Sequence, residues 1–251
     1  MSTAPEPVGA GAAPSASPAR ERWRTFGAPA LAAVTVVALC LGALLGWLVF
    51  APHHPGDDSA EAGFARDMTE HHAQAVQMSQ LVMQRSEDED VRRLAVDIDN
   101  NQNFERGQMA AWLTEWGLPR ARSGERMAWM EGHEHSAMEL PEGVPMPGMA
   151  SPAEIQELTD ASGEEAEVLY LQLMTTHHIA GVEMAQAALE LAEDPELRGA
   201  AQRMVDAQAG EIALMRDMLA ERDAEPREDV TAWLAGDDDA DATEDHSGTD
   251  H

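Results

Sequence analysis

The chain has 251 residues, with 46 acidic side chains against 16 basic ones, a formal net charge of −30 and one cysteine. No lysine occurs, which excludes the broad basic surface that nucleic-acid binding needs and favours attraction of cations instead. A lone cysteine gives neither an internal disulfide nor a thiolate cluster, so any metal chemistry must use other ligands.

In chain order, residues 1–24 open with Ala, Pro, Ser and Gly and almost no large apolar side chain. Such a stretch cannot offset its own ordering entropy and is expected to be disordered. Residues 25–52 carry no charge, and as a helix their more apolar part, 28–51, reaches roughly 36 Å, enough for a bilayer core of about 30 Å. Arg20, Arg22 and Arg24 precede the run and put the N-terminus on the cytoplasmic side. Trp23 and Trp47 sit near its two ends, at interfacial depth. A cleaved signal peptide has a shorter apolar region and a small-x-small site; "LVFAPHH" offers no such site, which favours a retained anchor. Cys40 falls inside the run and reads as membrane-buried filler.

Residues 60–222 are expected to be the folded unit, with one repeat at 60–117, a Met/His-rich linker at 118–163 and a second repeat at 164–222. Sliding the chain by 106 residues aligns 64–113 with 170–219 without a gap, at 15 identities in 50 positions. "MTEHHAQAVQM" and "MTTHHIAGVEM" both fit M-T-x-H-H-x-x-x-V-x-M, and Gln102/Gln208, Glu105/Glu211 and Met109/Met215 keep the same register. Fixed-period self-similarity of this kind marks a duplicated unit.

Each repeat reads as a helical hairpin. Phe64, Met68, Ala75, Met78 and Val82 recur at helical spacing, and Val91, Ala95, Ile98, Gln102, Glu105, Met109 and Trp112 make one stripe. Asp88 is placed as the N-cap after "SEDED", with Gly117 at the C-terminal end and Pro119 behind it. The second repeat has Asp194 as N-cap and Pro195 at the first helical position. "SPAE" opens a short helix in the linker, with Ser151 and Glu154 forming a capping box. Two hairpins with apolar faces bury them against each other, which predicts an all-α four-helix bundle after one transmembrane helix. Residues 223–251 are acidic and read as a disordered tail.

At about 100° per residue, Met68, His71, His72, Ala75 and Met78 occupy roughly a third of one helix circumference, the arc facing the bundle interior. The same holds for Met174, His177, His178 and Met184. Met68 is one turn from either histidine of its pair, whereas Met78 is about 10 Å from His71 and is expected to serve a second site or line the first. Thioether sulfur with neutral imidazole is a soft to borderline donor set, which selects Cu(I), and likewise Ag(I), over Mg, Ca or Mn. Four buried histidines without partners would each be costly, which favours a metal site over plain core packing. Gln102, Glu105, Gln208 and Glu211 interrupt apolar stripes; they either accept the far N–H of a ligating imidazole or hydrogen-bond between helices. Met127, Met130, His133, His135, Met138, Met146 and Met149 of the linker form a possible accessory set on a flexible loop, as do His53–His54 and His246/His251.

"FARDMTEHHAQAVQMS" with "QNFERGQMAAWLTEWG", and "YLQLMTTHHIAGVEMA" with "QAGEIALMRDML", resemble the two halves of domain-of-unknown-function family 305. The likeness spans about residues 60–222 and includes "MPGM" before the second half. It implies a ferritin-like four-helix fold and, from copper-binding members, copper binding outside the cytoplasm. Met68, His71, His72, Met78, Met174, His177, His178 and Met184 are then the ligand candidates, and Glu61 and Glu167 stand at the family's acidic position three residues before an aromatic one. Two other functions remain open. A di-iron oxidase normally takes E-x-x-H pairs, but Met68, Thr69, Met174 and Thr175 occupy the positions three before the histidines. A metal-free, pH-responsive interaction module would use histidine protonation instead. The expected role is non-enzymatic: a membrane-anchored, extracytoplasmic binder of a soft cation.

Overall fold

The computed structural model describes residues 27–50, 54–122, 124–131, 140 and 142–227. His53, His133, His135, Met138, His246 and His251 lie outside them, as does everything before Gly27. The described residues are all-helical and divide into two units, 1–53 and 54–251.

The first unit contains α1, Ala28–Phe50, whose 23 residues carry no charge and average a hydropathy of 2.5 over their most apolar window. At about 1.5 Å per residue it is long enough to cross a bilayer core. The Thr35 hydroxyl donates to the Leu31 carbonyl at 3.0 Å, so its polar group is satisfied within the helix. No residue of α1 is buried against protein. Among the described residues it is the one helix long and apolar enough to span a membrane.

The second unit is built on two helical hairpins. In the first, α2 (Ala60–Arg85) begins at the N-cap Ser59, whose side chain accepts from the Ala62 N–H. Asp88 then accepts from the Asp90 and Val91 N–H groups to start α3 (Glu89–Glu115). α3 ends where Gly117 takes φ +71, with Leu118 N–H bonded to the Leu113 carbonyl and Gly117 N–H to that of Thr114, a paired bonding that closes a helix on a glycine. In the linker, α4 (Pro152–Asp160) carries the full Ser151–Glu154 capping box. The second hairpin is α5 (Glu164–Leu191) and α6 (Pro195–Ala220), with Asp194 capping α6 as Asp88 caps α3. Both turns are clamped alike: Arg92 donates to the carbonyls of Met83 and Ser86, and Arg198, 106 residues on, to those of Leu189 and Ala192.

α3 packs on α2 and α6 on α5, and the hairpins join through α2 against α5. Cross-contacts fix α2 and α5 as antiparallel. Glu61 accepts from the Glu193 and Asp194 N–H groups, His71 faces His177, the Ser79 and Tyr170 hydroxyls meet at 3.1 Å, and Ser86 donates to Glu167. Residue numbers thus rise on one helix as they fall on the other, with the His71–His177 contact near the middle. Glu61 and Glu167 tie each hairpin to the turn of the other. Burial alone would raise the Glu61 carboxyl, but the backbone N–H groups it accepts outweigh that and hold it below the usual range. Replacing Tyr170 by Phe strands the fully buried Ser79 hydroxyl and should cost about 1–2 kcal/mol, read as a lower denaturant midpoint.

Two apolar clusters follow from this crossing. One gathers Phe64, Met68, Met109, Trp112, Met184, Leu197 and Met204; the other gathers Met78, Ile98, Tyr170, Leu171, Met174 and Met215. The histidine level lies between them along α2 and α5.

The linker was expected to be flexible, but its described parts are docked. Asp67, 1% exposed, accepts from the Met127 N–H and the Trp129 indole N–H, both at 2.9 Å, and pairs with Arg122. Trp129 lies edge-on to Phe64 and occupies the space a side chain at Gly63 would need. The Gln74 amide donates to the Ala150 carbonyl at 2.9 Å and accepts from its N–H at 2.6 Å. These bonds reach across more than fifty residues of sequence, so local composition carried no sign of them.

Candidate metal centre

All four histidines of the HH pairs are 0% exposed. The rings of His71 and His177 stack at 3.7 Å between centroids, tilted by 31°, and the His177 and His178 rings are 6.2 Å apart. His72 Nε2 lies 2.8 Å from Glu105 Oε2, and His178 Nε2 lies 2.8 Å from Glu211 Oε2. An ionised carboxylate only accepts, so each imidazole donates from Nε2, and in the neutral ring Nδ1 is left as a bare lone pair. His177 Nε2 donates to the His71 carbonyl at 3.0 Å, with the same consequence for its Nδ1.

Nothing meets those lone pairs. The Nδ1 atoms of His72, His177 and His178, and both ring nitrogens of His71, are buried without a hydrogen-bond partner. The Pro147 carbonyl is near enough to favour a protonated His71 ring, but no hydrogen bond of ordinary geometry forms. Burial, and then the neighbouring imidazoles His72 and His178, push His71 down to a pKa of about 3. The same two causes, burial first, hold His177 well below the usual value. Both rings are therefore neutral, with lone pairs free to bind, across ordinary pH.

The expected site residues fall into distinct places. The two stacked imidazoles and the two carboxylate-held ones share the centre. Met68 and Met184 lie together in one apolar cluster, and Met78 and Met174 in the other, so each methionine groups with one from the opposite helix. The one-turn spacing of Met68 from its own histidines remains, and the expectation that Met78 serves a second site or lines the first gains a cross-helix context: the two methionine levels, each drawn from both helices, lie on either side of the histidines along α2 and α5. Met127 and Met130 join the Met68 cluster. Met146 is fully buried and Met149 half-buried on either side of Pro147, which sets this part of the linker beside His71. His54 is exposed.

Sequence reasoning passed over Met109, Met204 and Met215, which are buried in the same clusters. The register of Met109 and Met215 one turn beyond Glu105 and Glu211 was the signal available. It also missed the "MPGM" loop as a wall of the centre. Among the described residues no three His, Cys, Asp or Glu side chains come together as a metal-binding group.

Two antiparallel-packed helical hairpins around a buried histidine level, between two apolar clusters, define a four-helix protein with partnerless imidazole nitrogens in its core. The chain belongs to the DUF305 family, "Domain of unknown function (DUF305)", whose model matches residues 61–219. A DUF305 protein from Streptomyces coelicolor, described as secreted, is 47% identical over 68% of this chain and 99% of its own, with a TM-score of 0.62. A DUF305 fragment from Deinococcus radiodurans is 33% identical over 68% of this chain and 99% of its own, with a TM-score of 0.55. CopM in its Cu(II)-bound form has the same fold at 22% identity, over 65% of this chain and 97% of its own, with a TM-score of 0.50. No curated protein matches the chain.

Proposed function

We propose that this protein is a membrane-tethered, extracytoplasmic binder of Cu(I), and by the same softness of Ag(I), acting in copper sequestration or homeostasis. The observation that carries the reading is the set of five buried imidazole nitrogens without partners, three of them lone pairs fixed by a donor bond at the far nitrogen. Each stranded polar atom costs about 1–3 kcal/mol in an apo bundle, a cost that a bound cation removes. His71, His72, His177 and His178 supply imidazole, and Met68, Met78, Met174 and Met184 are the thioethers at flanking levels. Glu105 and Glu211 set the tautomer of His72 and His178.

The net charge of −30 favours accumulation of cations around the bundle. α1 is the tether, and the arginines before it place the bundle on the far side of the membrane. The secreted description of the Streptomyces relative supports an extracytoplasmic location, and the Cu(II)-bound form of CopM supports copper as the element bound. Two observations weigh against the alternatives. A switch working near neutral pH needs imidazoles that titrate there, whereas His71 and His177 are held far lower. A di-iron oxidase needs bridging carboxylates three residues before the histidines, where this chain has Met and Thr.

The test is competition of the detergent-purified full chain against a chromophoric Cu(I) chelator under reducing conditions. Outer partners of ligands alone are worth about 10–100-fold in affinity, so changing all four histidines to Ala should weaken binding by more than that. Equal affinity in a variant that keeps its helicity would refute the assignment.

A further inference from the structure

α3 and α6 flank the α2/α5 pair without packing on each other along their length. Between them a cleft of about 190 Å3 opens to solvent, lined by Gln102, Phe104 and Glu105 from α3 and by Arg203, Gln208 and Glu211 from α6. Gln102 and Gln208 are each only 3% exposed, yet neither the oxygen nor the nitrogen of either amide has a hydrogen-bond partner. Four stranded amide atoms beside a cavity far larger than one water make a polar cleft with room for solvent to reach them. Gln208 Oε1 also reaches close over Gly181 on α5, so the amide sits at the floor beside the helix that carries His178.

Glu105 and Glu211 connect this cleft to the histidines. Each holds an imidazole Nε2 with one oxygen, while its side chain remains 18–19% exposed and lines the cleft. On the linker side the described residues pack closely: Gly148 lies so near Ala180 and Thr176 of α5 that no side chain fits, and Met146 is fully buried.

We propose that the soft cation enters and leaves the bundle through the α3/α6 cleft, exchanging its water for the Gln102 and Gln208 amide oxygens and the Glu105 and Glu211 carboxylates on the way to the imidazole lone pairs. This rests on the soft-cation function above. Two carboxylates against the single Arg203 guanidinium leave the passage attractive to a cation. Hard oxygen donors bind Cu(I) and Ag(I) weakly, so they pass the ion on to nitrogen and sulfur instead of retaining it.

A passage residue changes rates, whereas a ligand changes the equilibrium. Stopped-flow transfer of Cu(I) from a chromophoric chelator to the full chain in detergent, with the reverse transfer, gives both. Gln102→Leu with Gln208→Leu keeps side-chain size and removes the polar lining, so uptake and release should slow together by about tenfold or more, with the dissociation constant unchanged. Unchanged rates, or a weaker constant at an unchanged uptake rate, overturn the route. Phe104, 71% exposed at the mouth, supplies a pair that leaves packing untouched. At low ionic strength Phe104→Glu should speed uptake and Phe104→Lys slow it, each by about threefold, and no difference between them also overturns the route. Failure of the wild-type chain to take up Cu(I) removes the function itself, whereas uptake that none of these variants alters removes the passage alone.

Discussion

The metal-free bundle should lose stability steeply as pH falls from 6.5 towards 3, beginning well before its carboxylates titrate. His71 has its native pKa lowered from 6.5 to about 3, and His177 is lowered too, both first by burial. Below pH 6.5 the unfolded chain takes up protons at these positions and the native state does not. Proton uptake then favours unfolding, so stability is complete above 6.5 and drains as pH falls towards the native value. The slope is about 1.4 kcal/mol per pH unit for His71, or roughly 2 kcal/mol by pH 5, and His177 adds to the loss in the same direction. Glu61, Glu70, Glu154 and Asp88 are also lowered, but from 4.5 or 3.8, so their losses start later. Urea midpoints between pH 7 and 5 therefore isolate the imidazoles. Changing both His71 and His177 to Gln should flatten that stretch, and bound Ag(I) should displace it to lower pH because protons must then compete with the ion. An identical slope in the double variant would show that the stability loss has another source.

The reach and limit of the sequence are visible in particular residues. Helix ends were legible because their chemistry is local: Asp88, Asp194, Ser151 with Glu154, and Gly117 each act within a few residues. The interior placement of the HH pairs was legible from the 3.6-residue period, whereas the repeated register thirty-three residues on left Glu105 and Glu211 open between imidazole partners and interhelix hydrogen bonds, which the structure resolves to the imidazoles. Which methionines meet was not legible. A one-helix projection places Met68 and Met78 on the same stripe, on either side of His71, but only the antiparallel crossing of α2 and α5 decides that they join Met184 and Met174 respectively. The linker misled for a related reason. Its Pro, Gly and Met content resembles a mobile segment, whereas Asp67 and Gln74, both on α2, hold it down through bonds that only the folded chain creates.

That docking should make replacement of Gly148 damaging. Its φ is +73, a conformation that costs an L-residue about 1–2 kcal/mol. A Cβ built there would lie 2.4 Å from the Ala180 methyl and 2.8 Å from the Thr176 carbonyl, neither of which can swing aside. Overpacking of this kind adds about 1–3 kcal/mol, so Gly148→Ala should cost roughly 2–5 kcal/mol unless the loop lifts from α5. Gly117→Ala is the matched control: φ there is +71, with nothing within 4 Å of the added methyl, and only the backbone cost of about 1–2 kcal/mol should appear. If the loop lifts, water reaches the His71–His177 pair, the desolvation that depresses their proton affinity weakens, and the acid slope between pH 7 and 5 becomes shallower. Gly148→Ala should thus either be less stable than Gly117→Ala at neutral pH, with the loop held in place, or lose less further stability on acidification, with the loop lifted. Equal midpoints for the two variants together with equal acid slopes would mean that the "MPGM" loop does not seal the histidines.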